Sequence, residues 1–215
     1  MNFVKIIYKN KIRVITAILL AVGIIMTAKN GITLINFKYF SYKMDELDIA
    51  TLRSGMCVSD DLTYTYGNIR AFISGMKTTY VYAVDVGSKH DMYMELIVSA
   101  EGKYAGIHGK MEKLLTYFPG YYSELNSGQK VKMYGIVEKA DKKTFAYEYF
   151  TKALGKTVDE MKSDVSTDYI IRMVDTDVYR DRVFGGAGLI FAGVTVEIYS
   201  RWKKKREEQQ DEEEL

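Results

Sequence analysis

Two apolar runs lie near the ends of this chain, and every other feature has to be read around them. The first, Val14–Ala28, reads VITAILLAVGIIMTA; the second, Val183–Val196, reads VFGGAGLIFAGVTV. A helix that crosses a hydrocarbon core of roughly 30 Å takes about 20 apolar residues. The first run falls short by itself. It reaches that length if the helix continues past Lys29 to Ile32, Leu34 and Ile35, with the lysine ammonium stretched toward the headgroups. The pattern therefore predicts transmembrane helices over 14–35 and 183–200. A cleaved signal peptide is the rival reading of the first run, but Met26-Thr27-Ala28 fits a small-x-small cleavage site poorly, so the run reads as an uncleaved anchor.

Charge orients the two spans. Lys5, Lys9, Lys11 and Arg13 precede the first without a single acid, and Arg201, Lys203, Lys204, Lys205 and Arg206 follow the second. Basic residues flanking a span stay on the cytoplasmic side. Both ends give the same answer: tails 1–13 and 201–215 inside, and residues 36–182 outside a cell membrane. Arg201, Trp202, Lys203, Lys204, Lys205 and Arg206 form the predicted interface set. The cations act as a stop-transfer anchor or attract anionic lipid, at about 1 kcal/mol per charge, while Tyr199 and Trp202 suit the headgroup belt. Glu197 lies near the helix end, one turn from Arg201, and can pair with it.

The second span is rich in small residues. Gly188 and Ala192 stand four apart, the spacing that lets helix backbones approach closely. They are the candidate helix–helix contact, made with the first span or with a second copy. The plainer alternative is that glycine is common in membrane helices.

Between the spans the periodicity changes. Residues 80, 82, 84 and 86 put apolar side chains on one face of an extended segment, as do 92, 94, 96 and 98, around the polar link Gly87–Asp91; this period of two is a hairpin signal. Further strands are predicted at Arg70–Met76, Lys103–His108, Val131–Glu138 and Tyr169–Val174. Helices are predicted at Lys110–Phe118, stopped by the only proline, Pro119, at Thr144–Leu154, and after the capping-box sequence Thr157-Val158-Asp159-Glu160. The expected fold is α+β, a mostly antiparallel sheet between two transmembrane helices. An open barrel of the oligonucleotide-binding type is the alternative, because Gly135 within the strand 131–138 resembles the glycine at which such strands bend.

Chemistry is hard to find in this region. Residues 29–182 carry 21 basic and 21 acidic side chains, which argues against a nucleic-acid surface. The single cysteine, Cys57, excludes an internal disulfide and a cysteine-based zinc site, and reads as a small buried residue. His90 and His108 are the only histidines, in no metal-ligand spacing; the first reads as exposed, the second as packed or on the surface. Ser74-Gly75-Met76-Lys77 has the Ser-x-x-Lys spacing of penicillin-binding enzymes, but a strand points residues three apart to opposite faces. Asp175, Asp177 and Asp181 lack the glycine and bidentate glutamate of a calcium loop. No cofactor is expected. Tyrosine is abundant, with 18 in the chain. Tyr64, Tyr66, Tyr80, Tyr82, Tyr117, Tyr121, Tyr122, Tyr147 and Tyr149 either fill the core or offer a contact surface.

The stretch Leu47–Leu62 (LDIATLRSGMCVSDDL), with its Gly-Met-x-Val followed by an acidic pair, resembles uncharacterised small membrane proteins of Gram-positive bacteria. So do Tyr82–Gly87 followed by Met92-Tyr93-Met94, and Leu154-Gly155 before a short acidic helix. The resemblance implies a shared two-helix architecture with an extracytoplasmic α+β domain, and no activity. The functional expectation is an interaction module of the cell envelope, not an enzyme, whose partners are the lipid bilayer and another envelope protein or itself, with no nucleic acid. An accessory subunit of a transport or secretion complex, and an envelope hydrolase with an unrecognised site, are the alternatives.

Overall fold

A computed structural model describes residues 2–74, 77–88, 92–100, 105–116, 129–140, 148–149, 151–152, 155, 157–161 and 164–213. The chain divides into two compact units, residues 1–35 with 176–215, and residues 36–175.

The first unit is two long helices, α1 (Asn2–Tyr39) and, last in the chain, α4 (Thr176–Glu213). Lys11–Tyr39 and Thr176–Arg206 are long and apolar enough to cross a membrane, and only 11% of each apolar window is buried. The core helix of a soluble protein would be mostly buried. Here Val14, Ile18, Ile25, Phe184 and Phe191 are exposed instead. The first helix does continue through Lys29, as the apolar residues beyond it implied.

The second unit is α+β. In chain order it contains β1 (Cys57–Leu62), β2 (Tyr64–Thr65), β3 (Asn68–Ser74), β4 (Lys77–Val86), β5 (Met92–Ser99), α2 (Ala105–Met111), β6 (Leu115–Thr116), β7 (Val131–Lys139), α3 (Val158–Met161) and β8 (Tyr169–Met173). Six strands form one sheet in the order β1-β7-β8-β5-β4-β3, and β2 pairs with β6 beside it. The hairpin read from alternation is β4–β5, in register from Thr79 opposite Ser99 to Val86 opposite Met92.

Two expectations about the sheet need correction. It is mixed, because β8 inserts between β7, to which it is antiparallel, and β5, to which it is parallel. It is also not a closed barrel: β1 and β3 stand at opposite ends of the order. Gly135 has a different reason to be glycine. A Cβ there would lie 2.5 Å from Cγ2 of Ile171 on β8, so the residue makes room for a neighbour's side chain.

The main core covers one sheet face. Tyr82, Val84 and Val86 from β4, Met94, Leu96 and Val98 from β5, and Met133 and Val137 from β7 all point to it. Two pieces of chain close that face. Residues 44–52 supply Met44, Leu47 and Leu52, and α2 with its following turn supplies Met111 and Leu114. The first piece is stitched down at Met44: its N–H donates to the Asp60 carboxylate at 2.8 Å, and its carbonyl accepts from Gly87 N–H at 2.9 Å. Gly87 has φ +86°, a conformation open to glycine and strained for other residues.

The predicted strand over 103–108 is overturned in its described part: 105–111 is helix α2, because Ile107 and Met111, four apart, meet the core from one helical face. The helix expected over Lys110–Phe118 stops at Met111, and Leu115–Thr116 is strand. Residues 148–149 and 151–152 of the expected Thr144–Leu154 helix are helical, and the rest lies outside the described residues. The capping box is present: Glu160 accepts from Thr157 N–H at 2.7 Å, and Glu160 N–H donates to the Thr157 hydroxyl at 3.4 Å.

Gly135→Ala should destabilise the folded domain by about 1–3 kcal/mol through overpacking against β8. Ile171→Leu, which removes the β-branched methyl, should restore part of the loss. Thermal unfolding of the full chain in detergent checks both.

Candidate functional site

The two long helices meet through glycines other than the predicted Gly188 and Ala192, whose alternative contact, with a second copy, lies outside a single chain. A Cβ on Gly186 would lie 2.5 Å from the Thr27 hydroxyl and 2.8 Å from the Gly23 carbonyl oxygen; one on Gly193 would lie 3.0 Å from the Leu20 side chain. Rising numbers on α1 therefore match falling numbers on α4, an antiparallel pair. The stripe repeats every seven residues: Thr16, Gly23 and Asn30 are all buried on α1, and Gly186 and Gly193 on α4. A seven-residue repeat is the seam of a left-handed coiled pair. Gly188 would meet nothing within 4 Å, and Ala192 is exposed. Two and one residues off the seam, on a helix turning about 100° per residue, they point away from α1. Asn30 satisfies its amide locally, donating to the Met26 carbonyl at 2.6 Å.

At the far end of α4, Arg201 through Arg206 are all exposed. Arg201 donates to Glu197 at 2.8 Å, the pairing its spacing suggested, and the Arg206 guanidinium lies 4.4 Å from the Trp202 ring. Tyr199 and Trp202 are neighbours at 6.3 Å.

Among the described residues of the α+β unit, polar side chains converge at two places. At the first, the Tyr82 hydroxyl is 2.6 Å from His108 Nδ1 and 2.9 Å from Glu112 Oε1. Tyr82 is 1% exposed. A phenol carries one proton. Donated to the half-exposed Glu112 carboxylate, it leaves the Tyr82 oxygen to accept from His108 Nδ1–H. His108 lies flat on Tyr80, ring centroids 3.5 Å apart and planes 5° apart. Burial, then the hydrogen bond and charge of Glu112, push the Tyr82 hydroxyl well above the usual tyrosine range. Among the described residues no serine, threonine or cysteine bonds this histidine. What the cluster does is satisfy a buried hydroxyl and pin α2 and its following turn to β4.

The second place is the other sheet face, which is covered as well. Tyr66, Ala83, Tyr93 and Val165 form a small core there, with Tyr64 and Tyr149 against it. Two acids lie on the β4–β5 hairpin within this layer, Asp85 at 9% and Glu95 at 4% exposure. Tyr64 donates to Asp85 at 2.5 Å, and Tyr149 donates to the Tyr66 carbonyl at 2.6 Å. Burial, followed by the Asp85 charge, raises the Tyr66 hydroxyl. The described tyrosines of the sequence reading, Tyr64, Tyr66, Tyr80, Tyr82 and Tyr149, are thus core or core-packed; Tyr117, Tyr121, Tyr122 and Tyr147 lie outside the described residues.

The weak motifs stay apart from these clusters. Ser74 and Lys77 face each other as the last paired residues of the β3–β4 hairpin, on strands and not on a helix turn. Asp177 pairs with Arg180 at 3.2 Å. Cys57 is buried in β1, and burial raises its thiol. His90 lies outside the described residues. No family model, curated protein or solved structure matches this chain.

Sequence reading missed His108 with Glu112 because α2 was taken for a strand; their spacing of four is a helical signal that alternation hides. It missed Asp85 and Glu95 because the alternation was read for the face of residues 80–86 and 92–98 alone, and these acids stand on the other.

With Cys57 replaced by Ala, the pair Leu20→Cys and Gly193→Cys should form a disulfide in membranes. Gly186→Leu should abolish it and Gly188→Leu should not. In the folded domain the Tyr82 hydroxyl holds its proton above the ordinary value of 10.0. Unfolding releases that proton at such pH, so stability should fall as pH rises past 10. Tyr82→Phe should cost about 1–3 kcal/mol at neutral pH, by orphaning its partners, and should flatten that alkaline decline. Denaturant midpoints measured against pH check this.

Proposed function

We propose that this chain is a membrane-tethered interaction module of a bacterial cell envelope, with two spans, both tails in the cytoplasm and the α+β domain held outside. The observation that carries the reading is the surface of the helix pair. Glycines bring α1 and α4 together, and the apolar side chains left over face outward, where only hydrocarbon solvates them favourably. The orientation rests on the basic residues before the first span and after the second. Binding, as opposed to catalysis, is favoured because the polar clusters at Tyr82 and Tyr64, among the described residues, serve as hydrogen-bond partners of tyrosine hydroxyls.

In a Cys57→Ala background, Lys130→Cys should react with a membrane-impermeant maleimide in intact cells. Gln209→Cys should react only after permeabilisation. Protection of residue 130, or labelling of residue 209 in intact cells, would refute the orientation.

A further inference from the structure

We infer that the domain pairs with a second copy of itself by adding β3 to β3 across a twofold axis, joining the two sheets edge to edge. The inference rests on reading the domain as an interaction module, and it names the partner.

The two sheet edges differ. Along β1, the chain leaving α1 covers part of the outer side: Tyr42 N–H donates to the Cys57 carbonyl and the Tyr42 carbonyl accepts from Ser59 N–H, both at 2.9 Å. The other edge is β3, the last strand in the order among the described residues. Residues 70–74 are all exposed, and two large apolar side chains sit in the middle, Phe72 at 39% and Ile73 at 79% exposure. Edge strands are commonly guarded by proline, by several charges or by a central bulge. This one has no proline, a single charge at Arg70, and its register shift lies at the far end, between Asn68 and Arg70. The Arg70 guanidinium lies 4.6 Å from the Phe72 ring, so the charge shares one face with the aromatic group.

Register selects how two such strands fit. Ser74 opposite Lys77 closes the hairpin, and bonded and non-bonded pairs alternate along an antiparallel ladder. With Ser74/Lys77 bonded, Phe72/Thr79 and Arg70/Val81 are bonded too. Ala71 and Ile73 then turn their N–H and C=O groups outward. An antiparallel copy centred on Phe72 meets them with its own: Ala71 bonds Ile73 of the copy, and Ile73 bonds its Ala71. Phe72 stands opposite its own copy in the close, non-bonded position, where aromatic pairs contribute most. The large Ile73 faces the small Ala71. Arg70 faces Ser74, so no two like charges meet. The strand is complementary to itself in size, charge and hydrogen bonding, as a twofold interface requires.

The test is oxidative cross-linking of the full chain in isolated membranes, in the Cys57→Ala background. Paired Cα atoms at a non-bonded position are about 4.5 Å apart, within disulfide reach. Phe72→Cys should therefore yield a covalent dimer. Ser74→Cys, which faces residue 70 of the copy, should not. Adding Ile73→Pro to Phe72→Cys removes an outward N–H on each strand, where an edge tolerates proline, and should lower the dimer yield about tenfold. The absence of dimer from Phe72→Cys, equal yield from Ser74→Cys, no loss with Ile73→Pro at an unchanged melting temperature, or capture of a different polypeptide would each overturn the proposal. Isolated membranes expose both sides to oxidant, so a wrong orientation of the tether would leave this result unchanged and show only in the maleimide labelling.

Discussion

The outer surfaces of the two long helices are the constraint from which the rest follows. Each helix satisfies its own backbone, so its only requirement is a solvent for its side chains. Glycines at 23, 186 and 193 let the two backbones approach within side-chain distance, yet that contact covers only a narrow seam. The isoleucines, valines and phenylalanines left outside it are favourable in hydrocarbon and costly in water. A pair of this kind has the length and apolar surface that a bilayer span requires.

The α+β unit solves a separate problem, which is to bury a sheet on both faces with a short chain. One face is closed by residues 44–52 and by α2, the other by tyrosines and Val165. Tyrosine suits the second task because its ring fills apolar space while its hydroxyl reaches a polar partner. On this face Tyr64 reaches the Asp85 carboxylate and Tyr149 the Tyr66 carbonyl, while on the first face Tyr82 meets His108 and Glu112; these hydrogen bonds tie separate elements together: β2 to β4, Tyr149 to Tyr66, and α2 with its following turn to β4. Polar groups in this domain therefore hold elements in place. The frame they hold leaves one edge of the sheet, β3, with Phe72 and Ile73 exposed.

Periodicity made much of this legible. The two apolar runs, the β4–β5 hairpin, the strands β7 and β8, and the capping box before α3 all depend on neighbours a few residues apart, and such signals are written along the chain. Residues 105–111 misled because Ile107 and Met111 are compatible with either period in so short a stretch. Gly135 was read as a bend, whereas its reason lies on β8, in Ile171. The helix seam was in the sequence as Thr16, Gly23 and Asn30 at intervals of seven, but the pair Gly188 and Ala192 at an interval of four was the more conspicuous signal.

The chain by itself determined that two helices would seek an apolar solvent and that a folded α+β segment would lie between them, because solvation and local backbone preference act residue by residue. Only the tertiary structure decided that β8 enters the sheet parallel to β5, that α1 meets α4 through Gly186 and Gly193, that Tyr82 finds both His108 and Glu112, and that β3 is left at the rim. Those outcomes depend on contacts between residues far apart in sequence. They are selected by which faces can be buried together without leaving a polar group unsatisfied, and no local pattern encodes that choice.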